Sequence, residues 1–162
     1  VFHELAHELL FVPDDTTFNE SFATFVARAG VEQWLIDSGS ASKLKEYRRD
    51  TGRQDVTVNL IRNTRMLLAE LYTSPIQETD KRRQKDLILN ELMAKYFEMR
   101  KTGTVSNWDR WFEEGLNNAK LASVGSYHDD VGLFAALFEQ SNGDFAAFYQ
   151  SARAYAIRSG SP

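Results

Sequence analysis

The chain has 162 residues, of which 43% are hydrophobic, 12% aromatic and 26% charged, a composition typical of one globular domain with a buried core and not of a disordered chain. The net charge is -4 and basic residues are interspersed with acidic ones, so the charge pattern gives no reason to expect a nucleic acid or an anionic membrane surface as a partner. The absence of cysteine excludes disulfides, thiolate zinc sites and a cysteine nucleophile.

The first third of the chain predicts two helices joined by a short connection. One helix runs from Val1 to Phe11 and ends near Pro13, because proline lacks an amide hydrogen and disfavours helix in the residue before it. The segment DDTT then offers N-cap residues for a second helix from about Thr17 to Leu35, which has an apolar stripe of phenylalanines.

The middle of the chain predicts a helical hairpin. A long helical pattern runs from about Ala41 to Tyr72, the segment TSPIQETD forms the turn, and a polar-rich helix returns from Asp80 to Lys101. In the last third, WDRWFEEG predicts a short helix and LNNAKLASVGSYHDD a helix or an irregular segment. Two closing helices follow, in VGLFAALFEQ and DFAAFYQSARAYAI. We therefore predict an all-α fold and a single domain over residues 1–162.

The segment HELAH at positions 3–7 contains two of the three histidines, separated by four positions. Side chains at positions i and i+4 of a helix lie on one face, so His3 and His7 can direct both imidazoles at one metal ion. Glu4 projects beside that point, which suits a general base that acts on a water molecule without ligating the metal. The alternative is an ordinary helix surface that happens to contain two histidines.

A catalytic zinc ion usually takes three protein ligands, so a third has to come from another part of the chain. We predict Glu20, which lies early on the second helix between aromatic residues. The alternative for Glu20 is a capping box with Thr17, since the spacing Thr-x-x-Glu also fits that motif. His128 is a further candidate for the third ligand.

HELAH followed by FNESFA resembles the glutamate-ligand zinc peptidases, the gluzincins. A closer resemblance is to a predicted zinc aminopeptidase family of Gram-negative bacteria, in which FHELAH, a short proline-containing loop, FNESFA and LNNAxLxxVxxY occur in this order. LNNAKLASVGSY at 116–127 fits the last element, so the resemblance spans nearly the whole chain. The gap from His7 to Glu20 is shorter than in the classical gluzincins.

The resemblance implies a peptidase in which zinc is held by His3, His7 and Glu20. Glu4 would take a proton from water and pass it to the leaving amine. Tyr127 is the candidate donor to the oxyanion, because the gluzincins use a Tyr or His in that role, and His128 is the second candidate. Burial of the Tyr127 ring in the core is the alternative.

Other polar residues are candidates for contacts with the substrate or with the ligating histidines. Asn117 and Asn118 are candidates for binding the substrate backbone, although Asn pairs also cap helices. Asn19 and Asp130 are candidate partners for a free ring nitrogen of a ligating histidine. We expect a peptide substrate, and neither a membrane span nor a signal peptide in this chain.

The resemblance also implies the C-terminal part of a longer protein, located in the bacterial periplasm and carrying a lipoprotein anchor in its full-length form. Two other functions stay open: a non-catalytic helical interaction module, in which the histidines are incidental, and a fragment that binds zinc without turnover. Stoichiometric zinc separates the interaction module from the other two.

Overall fold

A computed structural model describes residues 1–158 of the chain, apart from the Ser126 side chain. This part of the chain contains eight helices and no strand, so the predicted all-α fold is confirmed. The helices are α1 (Phe2–Leu9), α2 (Thr16–Asp37), α3 (Ala41–Thr73), α4 (Glu78–Lys101), α5 (Asp109–Glu113), α6 (Asn118–His128), α7 (Val131–Gln140) and α8 (Phe145–Arg158). Within residues 1–158, no helix combines the length and apolar character that a membrane span requires.

The predicted helices are all present, and the differences concern their ends. The first helix ends at Leu9, two residues before the predicted end, because Leu10 already adopts an extended backbone conformation. The second begins at Thr16, where Asp15 is the N-cap and accepts a hydrogen bond from the Phe18 amide. The segment LNNAKLASVGSYHDD, predicted as helical or irregular, contains α6.

The chain folds into two compact units, and the first is built from both ends of the sequence: Val1–Leu44 and the chain from Gly125 onward. In this unit α1 packs on α2, α2 on α7 and α7 on α8. Phe22 is fully buried at its centre, and its ring contacts those of Phe134 and Phe148. The aromatic stripe predicted for the second helix therefore forms the core beneath α1.

The second unit, Lys45–Val124, contains the predicted hairpin. The Lys81 ammonium donates to the Tyr72 carbonyl near the turn, and the Arg53 guanidinium lies beside Gly103 at the far end, so α3 and α4 are antiparallel. Their buried side chains share one core, to which Phe112 of α5 also belongs. The single domain over residues 1–162 stays a prediction.

Candidate metal centre

Helix α1 presents both histidines on one face, as the spacing predicts. The two rings are 5.0 Å apart between centroids and almost perpendicular, at 85°. Ala6, which directly precedes His7, is fully buried in the core. The Phe2 ring lies against Gly30 of α2. Because these contacts fix the rotation of the helix, the histidine face is turned toward α2 and stays partly accessible to solvent.

Glu20 lies opposite the histidines on α2. Its two carboxylate oxygens are 3.2 Å from His3 Nε2 and 3.7 Å from His7 Nε2. The three side chains are between 21% and 26% exposed, so the group is accessible from solvent. The alternative for Glu20, a capping box with Thr17, is wrong, because Asp15 is the N-cap and Glu20 is the fifth residue of the helix rather than the third.

The three side chains form a group that can hold a metal ion, the metal-capable group. One ligand atom from each of His3, His7 and Glu20 lies within 4.8 Å of the other two. Zinc bonds of about 2.1 Å in tetrahedral geometry place neighbouring ligand atoms about 3.4 Å apart, and the observed separations of 3.2 and 3.7 Å bracket that value. Two imidazoles and a carboxylate are also a donor set typical of catalytic zinc.

The second ring nitrogen of His7 is in an unusual position. His7 Nδ1 is buried and has no hydrogen-bond partner among the described residues. In ligating histidines, the N–H group of this second nitrogen usually donates a hydrogen bond to a carboxylate, a carbonyl or a water molecule. The orientation of the His7 ring therefore depends on packing and on what its Nε2 atom contacts, which here is Glu20.

The other two predicted catalytic residues, Glu4 and Tyr127, lie on α1 and α6. Glu4 is exposed on the first turn of α1. Tyr127 of α6 is 44% exposed, and its ring centroid is 6.2 Å from that of His3, with the two rings stacked. Burial of the Tyr127 ring in the core is therefore wrong. Within residues 1–158, the group able to hold a metal comprises His3, His7 and Glu20 and does not include His128.

Asn117 and Asn118 have structural contacts in the second unit. The Asn117 side-chain oxygen accepts from the Lys120 amide, which is the geometry of a helix N-cap, and that of Asn118 accepts from the Tyr72 hydroxyl. Both residues are exposed. Substrate binding by this pair stays a prediction.

The structure shows three polar contacts around the group that the spacing of the sequence does not indicate. Asn19 bonds to the backbone of Val12 and not to a histidine ring, and Ser21 accepts from the Asp130 amide. The Arg153 guanidinium of α8 donates to the Leu9 carbonyl at the end of α1. The only sequence signal for the first two contacts is the position of polar Asn and Ser between the aromatics of FNESF.

Residues 1–160 match the model of the Aminopep family, whose description reads "Putative aminopeptidase". No curated protein and no solved structure matched the chain. The family match covers both compact units and every residue of the candidate metal centre.

Proposed function

The chain belongs to the Aminopep family, and from this premise we propose that it is a zinc-dependent peptidase that removes residues from the amino terminus of peptides. The observation that carries the proposal is the convergence of ligand atoms from His3, His7 and Glu20 within 4.8 Å. The zinc ion is favoured over other metals by the donor set, which combines two imidazole nitrogens with one carboxylate. The order of these ligands along the chain, His-Glu-x-x-His and then Glu, is that of a gluzincin.

Zinc would supply a Lewis acid that polarises the peptide carbonyl and lowers the pKa of water. His3 and His7 hold their side of the site from α1, and Glu20 holds the other side from α2. All three are partly exposed, so an extended peptide can reach them from solvent. Three protein ligands would leave the fourth position of a tetrahedral zinc ion for water, as in catalytic zinc sites.

Two side chains are proposed to carry the proton transfer and the charge stabilisation. Glu4 follows His3 directly on α1 and is exposed, so its carboxylate is available to take a proton from water and deliver it to the leaving amine. The Tyr127 hydroxyl is proposed to donate a hydrogen bond to the oxygen on which negative charge develops. Its support is the stacking of its exposed ring beside His3.

The first test compares zinc binding by the parent with zinc binding by Glu20→Gln. We expect about one zinc ion per chain in the parent by elemental analysis, and a loss of affinity greater than about 100-fold in the variant. Glu8→Gln is the matched control, because Glu8 is an exposed glutamate on α1 outside the metal-capable group. A parent that binds no zinc after the metal is added back would favour the helical interaction module instead.

The second test uses Glu4→Gln in the hydrolysis of peptides with a free amino terminus. We expect zinc binding to be retained and turnover to fall by about 100- to 10,000-fold, the range for removal of a general acid–base group. Turnover at the parent rate by this variant would contradict the role of Glu4. Hydrolysis of peptides with a blocked amino terminus at the same rate would contradict the aminopeptidase assignment and leave a zinc endopeptidase.

A further inference from the structure

The residues on either side of Glu20 are among the most buried polar residues of the protein. Asn19 is 4% exposed and Ser21 is fully buried, and within residues 1–158 the other buried polar residues are Thr57 and Thr64. Burying a polar side chain costs free energy unless its hydrogen bonds are made. The contacts of Asn19 and Ser21 therefore show what each residue holds in place.

Asn19 holds the connection between α1 and α2. Its side-chain oxygen accepts from the Val12 amide at 2.8 Å, and its side-chain nitrogen donates to the Val12 carbonyl at 2.7 Å. Val12 is itself buried, three residues after the end of α1. Two bonds from one rigid amide group to the same residue fix both the position and the direction of this backbone segment.

The connection that Asn19 holds decides how α1 lies against the start of α2. His7 lies five residues before Val12, and Glu20 follows Asn19 directly, so the Asn19–Val12 pair joins the two sides of the metal-capable group at its base. Ser21 has a different partner, since its hydroxyl accepts from the amide of Asp130, the N-cap of α7. Ser21 therefore ties α2 to the turn that precedes α7.

We infer that Asn19 is a positioning residue for the metal centre, which sets His3 and His7 at the distance from Glu20 that one ion requires. The inference rests on the proposed zinc site and extends it to a residue that contacts none of the ligands through its side chain. Ser21, equally buried and also adjacent to Glu20, provides the comparison. Both substitutions are expected to destabilise the fold, but loss of the Asn19 side chain also removes the two bonds that hold the connection between α1 and α2.

The test measures zinc dissociation constants by competition with a chromophoric chelator, for the parent, Asn19→Ala and Ser21→Ala. We expect a 10- to 100-fold loss of affinity for Asn19→Ala, the effect typical of residues that orient metal ligands, and a change below about threefold for Ser21→Ala. Circular dichroism confirms that each chain is folded. The absorption spectrum of the cobalt-substituted protein provides a second readout, which reports ligand geometry and which a general loss of stability does not alter.

Asn19→Ser is the second variant, for the case in which Asn19→Ala does not fold, because serine is small and polar but cannot make the pair of bonds to Val12 that the amide group makes. Affinity within threefold of the parent in the folded Asn19 variant would overturn the inference while leaving the proposed function intact. Equal losses in the Asn19 and Ser21 variants would also overturn it, because the effect would then follow stability. A parent that binds no zinc would overturn the proposed function and this inference together.

Discussion

Tyr127 differs from the buried tyrosine Tyr96 in being accessible from solvent. We predict that Tyr127→Phe lowers turnover by about 100- to 1000-fold, the usual cost of removing one hydrogen-bond donor to an oxyanion. Zinc affinity should not change, because Tyr127 lies outside the metal-capable group. Steady-state hydrolysis of a peptide and zinc competition, measured on the same preparation, check the two parts of this prediction.

Tyr72→Phe is the matched control for that experiment, because Tyr72 is 40% exposed and lies in the other compact unit. The substitution removes a hydroxyl that donates to Asn118. An equal fall in turnover for this variant would therefore mean that the α3–α6 contact is needed for activity. If His128→Gln loses turnover and Tyr127→Phe does not, the oxyanion donor is His128.

At the scale of single residues, the sequence predicted the side chains whose spacing obeys a local rule. His3 and His7 follow from the i, i+4 geometry of a helix, and Glu20 followed from its place early on the next helix. The sequence could not distinguish a buried from an exposed Tyr127, because the position of that ring depends on how α6 packs. The contact of Asn19 with Val12 was missed for a similar reason, since its partner is backbone, which has no sequence signature.

At the scale of secondary-structure elements, the predicted helices are present because the apolar periodicity of the sequence determines where helices form. The residues at which they begin and end depend on individual contacts. Helix α1 ends at Leu9, where the Arg153 guanidinium accounts for the last carbonyl. That contact joins residues 144 positions apart, which no local pattern indicates. The start of α2 at Thr16 depends on the choice of Asp15 as N-cap within DDTT.

Tyr96 joins α4 to the start of α5 through hydrogen bonds made by its hydroxyl. The hydroxyl donates to the Asp109 carboxylate at 2.6 Å and accepts from the Trp108 amide at 2.7 Å. Burial raises the pKa of Tyr96 from 10.0 to about 12, and the hydrogen bond to Asp109 contributes in the same direction. The native state therefore keeps this proton at a pH at which the unfolded chain has lost it.

The raised pKa predicts a loss of stability at high pH. The contribution is complete below pH 10 and is lost as the pH rises to about 12, by on the order of 2 kcal/mol. Urea denaturation followed by the fluorescence of Trp108 and Trp111, with Trp34→Phe in every chain compared, checks it. Tyr96→Phe should be less stable at neutral pH but should show a flatter decline from pH 10 to 12, whereas the exposed Tyr72→Phe should keep the parent slope. An unchanged slope in Tyr96→Phe would contradict the assignment.

At the scale of the whole molecule, the division into two units was not predicted, because composition and periodicity are similar along the chain. The division depends on contacts between the first 44 residues and the segment after Gly125, which only the folded structure reveals. The ligands of the candidate metal centre all lie in the first unit, and the hairpin with Asn117 and Asn118 lies in the second.

This division predicts where zinc should protect the backbone from hydrogen exchange. At 100 times its dissociation constant, zinc stabilises the state that binds it by about 2.7 kcal/mol, which slows exchange about 100-fold. We expect that slowing in the core amides of α2 and α8, with a much smaller effect in α4. Exchange measured by mass spectrometry with and without zinc checks it, and Glu20→Gln shows the background. Equal slowing in α4 would mean that both units unfold together.

Because the first unit is built from two separated segments, it can fold only after the second unit has been synthesised. His3, His7 and Glu20 leave the ribosome before the second unit, but the core under α2 needs Phe134 and Phe148, which are synthesised after the whole of that unit. At typical translation rates the 80 residues between the two segments take about 4 to 16 s. During that time the nascent chain carries its histidines and carboxylate without the core that supports them, so an ion held at the proposed zinc site would bind late.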